Sequence, residues 1–402
     1  MLTFADALAR LLGSASPLGA ERVSLDDAAG RVLAEDLAAP APMPAFDYSA
    51  MDGYALRSND HVGPGPLRIP VVGESAAGRP LPELAPGSAC RIFTGARLPA
   101  GADAVVMQEH APRTGDTITL DAAPRVGAHI RRRGADLEQG TIALRRGMRM
   151  TPGKVALAAA IDRPQLLVAR RPVVTVLCSG DELRSPGEAA IPGSVTESNG
   201  YFVAAQARAA GAIVRVAPFV RDDAATAREA VTDALRGADV VVTIGGVSVG
   251  DHDVIRPALE AAGVTLDFWR VKIKPGKPLA VGRAGQAHII GLPGNPASAS
   301  LTFLLFGVPL LRALQGDAAP LPARQTARVA GSGSVRREPG REEFRRARLE
   351  QGPEGLVARL LPNQDSGAVV SFAEAEALVV IPADREAIAD GEALEVIRLA
   401  DI

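Results

Sequence analysis

Only two of the 402 residues are cysteine, Cys90 and Cys178. That is too few for a disulfide framework, and they lack the paired spacing of a zinc site. The five histidines, at 61, 110, 129, 252 and 288, are scattered and give no zinc pattern either. Aromatic residues make up 3% of the chain, with a single tryptophan, which argues against stacking of exposed bases. Charge bias is also missing: a formal net charge of −2 excludes a nucleic-acid or anionic-membrane surface over the whole molecule, so any anion site must be local. The most apolar run, 301–311, is too short to span a bilayer and contains Gly307 and Pro309. The first twenty residues have no basic start, and Asp6 and Arg10 interrupt their apolar run, so they do not form a secretory leader. These absences predict a soluble, cytoplasmic protein without nucleic-acid or membrane partners.

What is present is a globular chain of two to four domains, 47% hydrophobic, with 41 glycines and 31 prolines. Its organising stretch is 238–253, ADVVVTIGGVSVGDHD. Val240, Val241, Val242 and Ile244 form the nearly continuous β-branched run of a strand buried on both faces of a parallel sheet. Gly245, Gly246 and Gly250 then lead through a loop into a helical pattern carrying Val254, Ile255, Ala258, Leu259 and Ala262. Ligands of open α/β sheets sit at such strand ends, where glycines let backbone N–H groups approach a phosphate. The spacing matches neither a P-loop nor GxGxxG. A tight turn with Asp251 or Asp253 capping the helix explains this stretch equally well.

Taken in order, 3–12 reads as an amphipathic helix capped by Thr3, and Ser24 with Asp27 predicts a second helix start. A segment of 1–40 with 145–169 forms a mixed helical domain. The prolines of PAPMPAF (40–46) force an extended chain. A β-rich module over 41–144 follows, with short strands at 67–72, 90–94, 104–108, 116–121, 128–132 and 142–144. Residues 125–149 hold seven arginines against Asp136 and Glu138, either a solvated face or a wall facing an anion or a second subunit. Thr151-Pro152 starts a helix running to about Ile161. From 170 to 318, strands and helices alternate as in a doubly wound parallel α/β domain. The segment 319–402 returns to short strands in a small C-terminal β-domain.

The chemistry gathers at the predicted strand ends. In a strand over 264–273, Arg270, Lys272 and Lys274 share one face, and Lys277 follows on a turn shaped by Pro275 and Gly276. An edge strand defended by lysines has the same appearance. Pro293-Gly294-Asn295-Pro296 opens a helix with Ser298 and Ser300 in its first turn, a setting for a tetrahedral oxyanion. Asp181, Glu182, Asp222, Asp223, Asp251 and Asp253 fall at or near strand-to-helix junctions. Acids and lysines on one sheet edge make electrostatic sense with a hard cation and a phosphate between them, which points to Mg²⁺ and phosphate-ester or phosphoanhydride chemistry. No Ser-His-Asp or Cys-His nucleophile suggests itself.

PAFDYSAMDGYA (44–55), IFTGA (92–96), RRGAD (132–136), SGDEL (179–183), TIGGVSVGDHD (243–253), IKPGKP (273–278) and GLPGNPASA (291–299) occur in this order. The chain thereby resembles, over nearly its whole length, the molybdopterin molybdenumtransferase family and is similar to the E domain of gephyrin. The resemblance implies an enzyme that cleaves adenylylated molybdopterin with Mg²⁺, inserts molybdate into the dithiolene, and releases AMP and molybdenum cofactor. It implies catalytic positions at Asp52, Thr94, Asp136, Glu182, Asp222, Asp253 and Lys274, of which Glu182, Asp222 and Asp253 would hold the metal. Substrate or oxyanion contacts would come from Gly245, Gly246, Ser248, Gly250, Arg270, Lys277, Ser298, Arg346 and Ser371. Arg270 departs from the lysine of some members and holds phosphate in a planar, two-pronged way. Cys178 stands where a small polar residue is frequent and reads as packing. The resemblance further implies an elongated homodimer, whose active site lies between the α/β domain of one subunit and the β-module of the other. The pathway's adenylyltransferase and the recipient molybdoenzymes would be its further partners. Two other readings are a nucleotide pyrophosphatase built on the α/β domain alone, for which the β-module has no use, and a non-catalytic scaffold.

Overall fold

A computed structural model describes the chain except residues 62, 64, 247–253, 332–334 and 338. It divides into two compact units. One comprises Met1–Glu35, Arg146–Thr151 and Leu166–Ile402, and the other Asp36–Arg145 and Pro152–Gln165.

The smaller unit is built on a six-stranded sheet in the order Ala104–Met107, Gly53–Leu56, Ala89–Ile92, Leu67–Ser75, Thr117–Leu120, Arg113–Thr114. Alternation in TITL turns Ile118 and Leu120 inward. Leu56, Ile69, Ile118 and Leu120 fill one face, and Ala55, Cys90, Ile92 and Val105 the other. Burial pushes the Cys90 thiol up to about 11, so it packs as a small apolar group. The predicted strands at 128–132 and 142–144 form two-stranded ribbons, Ile130–Arg131 with Tyr48–Ser49 and Ile142–Leu144 with Leu37–Ala38. The helix Pro152–Ala160 begins at its predicted proline.

The larger unit centres on the sheet that the valine-rich runs demand. All residues of Val240–Ile244 and Ala287–Leu292 are buried, as strands covered on both faces must be. Ile213–Val216, Val173–Cys178, Val240–Ile244 and Ala287–Leu292 lie parallel in that order, continued by antiparallel Pro278–Ala284 and Thr265–Arg270. The sheet is therefore mixed rather than wholly parallel, because Pro278–Ala284 and Ala287–Leu292 are joined by a two-residue turn that permits only antiparallel pairing. Helices Ala224–Leu235 and Ile255–Ala261 cover one face, while Asn199–Ala209 and the helical run Pro296–Leu314 cover the other. This 19-residue run has the length and hydropathy of a membrane span, yet 89% of its apolar window is buried inside the protein. Cys178, at the end of its strand, is 2% exposed, and burial followed by the neighbouring Glu197 charge pushes its thiol up to about 12.

At the N-terminus, Thr3 accepts a hydrogen bond from Asp6 N and caps Phe4–Gly13. Phe4 meets Phe306 and Phe344 edge-on, each at 5.3 Å. The helix expected at Ser24 is absent. Ala20–Ser24 is a strand paired with Gln165–Ala169, and Asp27 N closes only a turn onto Ser24 O. No apolar periodicity follows that cap, and Gly30, at φ +76°, ends the turn. In the C-terminal β-domain five strands close on themselves: Glu342–Gly352, Gly355–Leu360, Arg324–Ala330, Ala393–Arg398, Ala377–Ile381 and back to the first. Ala327, Val329, Ala347, Ala358, Val379 and Val396 fill the interior.

His288, in the strand Ala287–Leu292, is 2% exposed. Burial, and then the Arg283 charge, lower its pKa to about 4 against the opposing pull of Asp239. The native state thus keeps the imidazole neutral where the unfolded chain, near 6.5, already binds a proton. Stability from this residue is complete above about pH 6.5 and declines as pH falls toward 4, by at most about 3 kcal/mol. Urea unfolding between pH 4.5 and 7.5 should show this slope, and His288→Leu should flatten it.

Candidate active site

Parallel strands place their C-terminal ends on one edge, and the motif loops meet there through the backbone. Ser179 N donates to Ile244 O at 3.0 Å, Gly180 N to Val220 O at 3.1 Å, and Gly245 N to Leu292 O at 3.2 Å. Gly245 (φ +83°) and Gly246 (φ +62°) occupy left-handed conformations. A Cβ on Gly245 would stand 2.7 Å from Ser179 O, and one on Gly246 2.5 Å from Ile255 Cγ1. The glycines are thus required by both conformation and space. Asn199 Nδ2 donates to Gly294 O at 2.7 Å, fixing the next loop beside them. Asp222 N reaches Asp181 Oδ1 at 3.3 Å, while Asp223 caps Ala224–Leu235 through Thr226 N and Oγ1 and is structural. Glu182 and Asp222 are exposed on this edge and form no ion pair among the described residues. Ser248, Gly250 and Asp253, with Asp251 and His252, lie outside the described residues.

The predicted strand 264–273 divides. Register shifts fall between Leu266 and Arg270, and Ile273–Lys274 pairs in parallel with Glu342 and Glu343 of the C-terminal barrel. The parity of burial changes with it: Phe268, Val271 and Ile273 are all buried. Arg270, Lys274 and Lys277 are exposed. Gly276 (φ +103°) packs against the helix that starts at Pro296, where a Cβ would meet Thr302 Cγ2 at 2.5 Å and Ser298 O at 3.7 Å. Ser298 is 4% exposed in the first turn of that helix. The donor Ala297 N is already bonded to Ser366 O at 2.8 Å, so the helix start is partly closed rather than fully free for an anion.

Two tail assignments, Arg346 and Ser371, are buried and bonded to backbone of their own segment. Arg346 is 2% exposed, and its Nη2 donates to the carbonyls of Asn363 (3.2 Å) and Asp365 (3.1 Å). Burial lowers its pKa, with Asp365 partly offsetting. It clamps the loop that carries Ser366. Ser371, 6% exposed, donates to Ala368 O at 3.2 Å in the short helix Val369–Ala373. Sequence reasoning passed over Ser366, whose Oγ accepts a hydrogen bond from Asn295 Nδ2 at 3.1 Å. It also passed over Glu343, which lies in a charged run, REEFRR, that no spacing rule singles out.

In the smaller unit, Asp52 Oδ1 accepts hydrogen bonds from Thr94 N and Thr94 Oγ1, both at 2.8 Å. These bonds, aided by the Arg91 charge, hold its carboxyl below the usual aspartate range. Arg91 is fixed between Phe93 (4.7 Å) and Tyr54 (5.3 Å). Asp136 is exposed, its N–H bonded to Met43 O at 3.0 Å. In the arginine-rich stretch, Arg132 pairs with Asp47 at 2.7 Å and Arg149 with Asp317 at 2.9 Å.

Gly246→Ala should cost about 1–3 kcal/mol in urea unfolding, because a left-handed φ and the Ile255 contact coincide. Thr94→Ala should return Asp52 toward the ordinary aspartate pKa, read from its side-chain carboxyl resonance in an NMR titration.

The chain is similar to known proteins over nearly its whole length. The chain matches the MoeA N-terminal region (domain I and II) over residues 2–161, the probable molybdopterin binding domain over 175–313, and the MoeA C-terminal region (domain IV) over 329–399. It is 34% identical to the molybdopterin molybdenumtransferase of Haemophilus influenzae, covering 98% of each chain. With molybdopterin molybdenumtransferase 2 of Mycobacterium tuberculosis it shares 37% identity over 93% of this chain and 94% of the other. A crystal structure of the molybdopterin biosynthesis moeA protein from Pyrococcus horikoshii superposes with a TM-score of 0.86 at 28% identity, covering 99% and 100% of the two chains. With all three regions matched in order and relatives aligned from end to end, the chain belongs to the molybdopterin molybdenumtransferase family, transferases of molybdenum cofactor biosynthesis.

Proposed function

We propose that this transferase inserts molybdenum into adenylylated molybdopterin, cleaving the phosphoanhydride with Mg²⁺ and releasing molybdenum cofactor and AMP in the cytoplasm. The observation that carries the reading is the shared edge of the α/β sheet. There Gly245, Gly246 and Gly294 bring backbone close together beside the exposed carboxylates Glu182 and Asp222, which form no ion pair among the described residues. Exposed oxygen donors of this kind fit a hard divalent ion, so Glu182 and Asp222, joined by Asp253, are the residues that would hold Mg²⁺. Bound there, the ion would withdraw charge from the phosphoryl oxygens.

The protein's own groups do the rest. Lys274 and Lys277 face the negative charge of diphosphate and molybdate, and Arg270 adds a planar donor pair. The Gly245-Gly246 turn and the serine-bearing helix start at Ser298 orient the anions through short-range hydrogen bonds. Asp52, kept ionised by Thr94, and Asp136 serve the same reaction from the smaller unit of a second copy in a homodimer. The adenylyltransferase that supplies the substrate and the molybdoenzymes that receive the product are its further partners.

Purified protein given adenylylated molybdopterin, molybdate and Mg²⁺ should release AMP in step with cofactor formation, and chelation should stop it. Glu182→Gln and Asp253→Ala should each lower turnover about a hundred-fold with unchanged thermal unfolding. Full turnover in a folded Asp253→Ala protein, or AMP release from ordinary dinucleotides without pterin, would overturn the proposal.

A further inference from the structure

Glu343 is 3% exposed, a depth at which an ionised carboxylate needs partners. It has three. Its Oε1 accepts a hydrogen bond from Arg345 Nε at 2.9 Å and stands 3.5 Å from Lys274 Nζ. Its Oε2 lies 3.1 Å from Arg337 Nε. The Arg337 side chain is itself 2% exposed and is tied to backbone, donating to the carbonyls of Arg385, at 2.8 Å, and Arg341. One carboxylate oxygen is thus anchored against a fixed guanidinium. The other faces two cations that would otherwise repel each other.

Three cations around one carboxylate leave a formal surplus of two positive charges. Arg337 and Arg345 side chains are 2% and 13% exposed, whereas Lys274 is 49% exposed, so the surplus reaches solvent chiefly at the Lys274 ammonium. The backbone reinforces this arrangement, since Lys274 and Glu343 are directly paired in parallel strands.

We infer that Glu343 is a positioning residue for the reaction: it holds the Lys274 ammonium on an oxygen atom already fixed by the Arg345 guanidinium, so that the exposed ammonium is presented to an anionic group of the substrate. The inference rests on the reading of Lys274 given under the proposed function. Nothing in it requires Glu343 to touch substrate. Its effect passes through Lys274.

Two readouts separate positioning from mere support of the fold. In Glu343→Gln, Lys274 loses its one carboxylate partner among the described residues, and its side chain is released from that tether. Limited acylation with an N-hydroxysuccinimide acetate at pH 8, read by peptide mass spectrometry, should modify the freed Lys274 at least about threefold faster than in the unaltered protein. In a double-mutant cycle, Glu343→Gln should slow AMP release about tenfold, yet by no more than about twofold once Lys274→Met is present. Glu343→Asp keeps the charge but retracts it by one methylene. It should fall between the two, and it carries the test if Glu343→Gln does not fold. Additive effects in the cycle with an unchanged acylation rate would overturn the inference while leaving the proposed function intact. A Lys274→Met protein with full AMP release would instead overturn the reading of Lys274 on which the inference stands.

Discussion

Parallel pairing of Val173–Cys178, Ile213–Val216, Val240–Ile244 and Ala287–Leu292 obliges four chain segments to leave the sheet on the same side. Burial of apolar side chains on both faces, worth roughly 25 cal/mol per Å², holds that geometry. Once it is set, backbone from distant parts of the chain must cross within hydrogen-bonding distance. Glycine at 245 and 246 removes the atoms that would collide there. The loops bearing Asp181, Glu182 and Asp222 leave the sheet at that same edge, so strand direction alone brings these segments to one side.

A second organising contribution comes from the C-terminal barrel. Its strand Glu342–Gly352 takes Ile273–Lys274 as a neighbour, Ser366 satisfies a donor at the start of the helix opening at Pro296, and Arg346 stiffens the loop bearing Ser366. A module that carries few family motifs therefore determines where a lysine and a helix terminus sit. The divided strand at 264–274 has the same origin: Thr265–Arg270 serves one sheet and Ile273–Lys274 another.

How much of this was legible in the sequence depended on whether the controlling contact was local. Val240–Ile244 and Ala287–Leu292 announce themselves by unbroken apolar runs, and Pro152 marks its helix start, because burial and a fixed φ act on the residues themselves. The motif segments at 179–183, 243–246 and 291–299 were legible as parts of one sheet edge. Ser24 misled, since a capping pattern is no helix without an apolar stripe behind it. The strand at 264–273 misled because a bulge and a partner about seventy residues away decide its course. Arg346 carried the right charge for an anion contact, but only the fold shows that its guanidinium is turned onto carbonyls. Glu343 was invisible, as its three cationic partners come from 274, 337 and 345 and meet only after the barrel closes.

The parallel ribbon joining Ile273–Lys274 to Glu342 and Glu343 has an implication for biogenesis. During synthesis, the α/β sheet has all its strands once Leu292 has emerged, but the segment bearing Lys274 has no β-partner until the ribosome has added some fifty residues more. A nascent or truncated polypeptide can thus possess a finished α/β core while Lys274 remains unmoored. The seat of that lysine is completed only once the barrel strand Glu342–Gly352 has been translated.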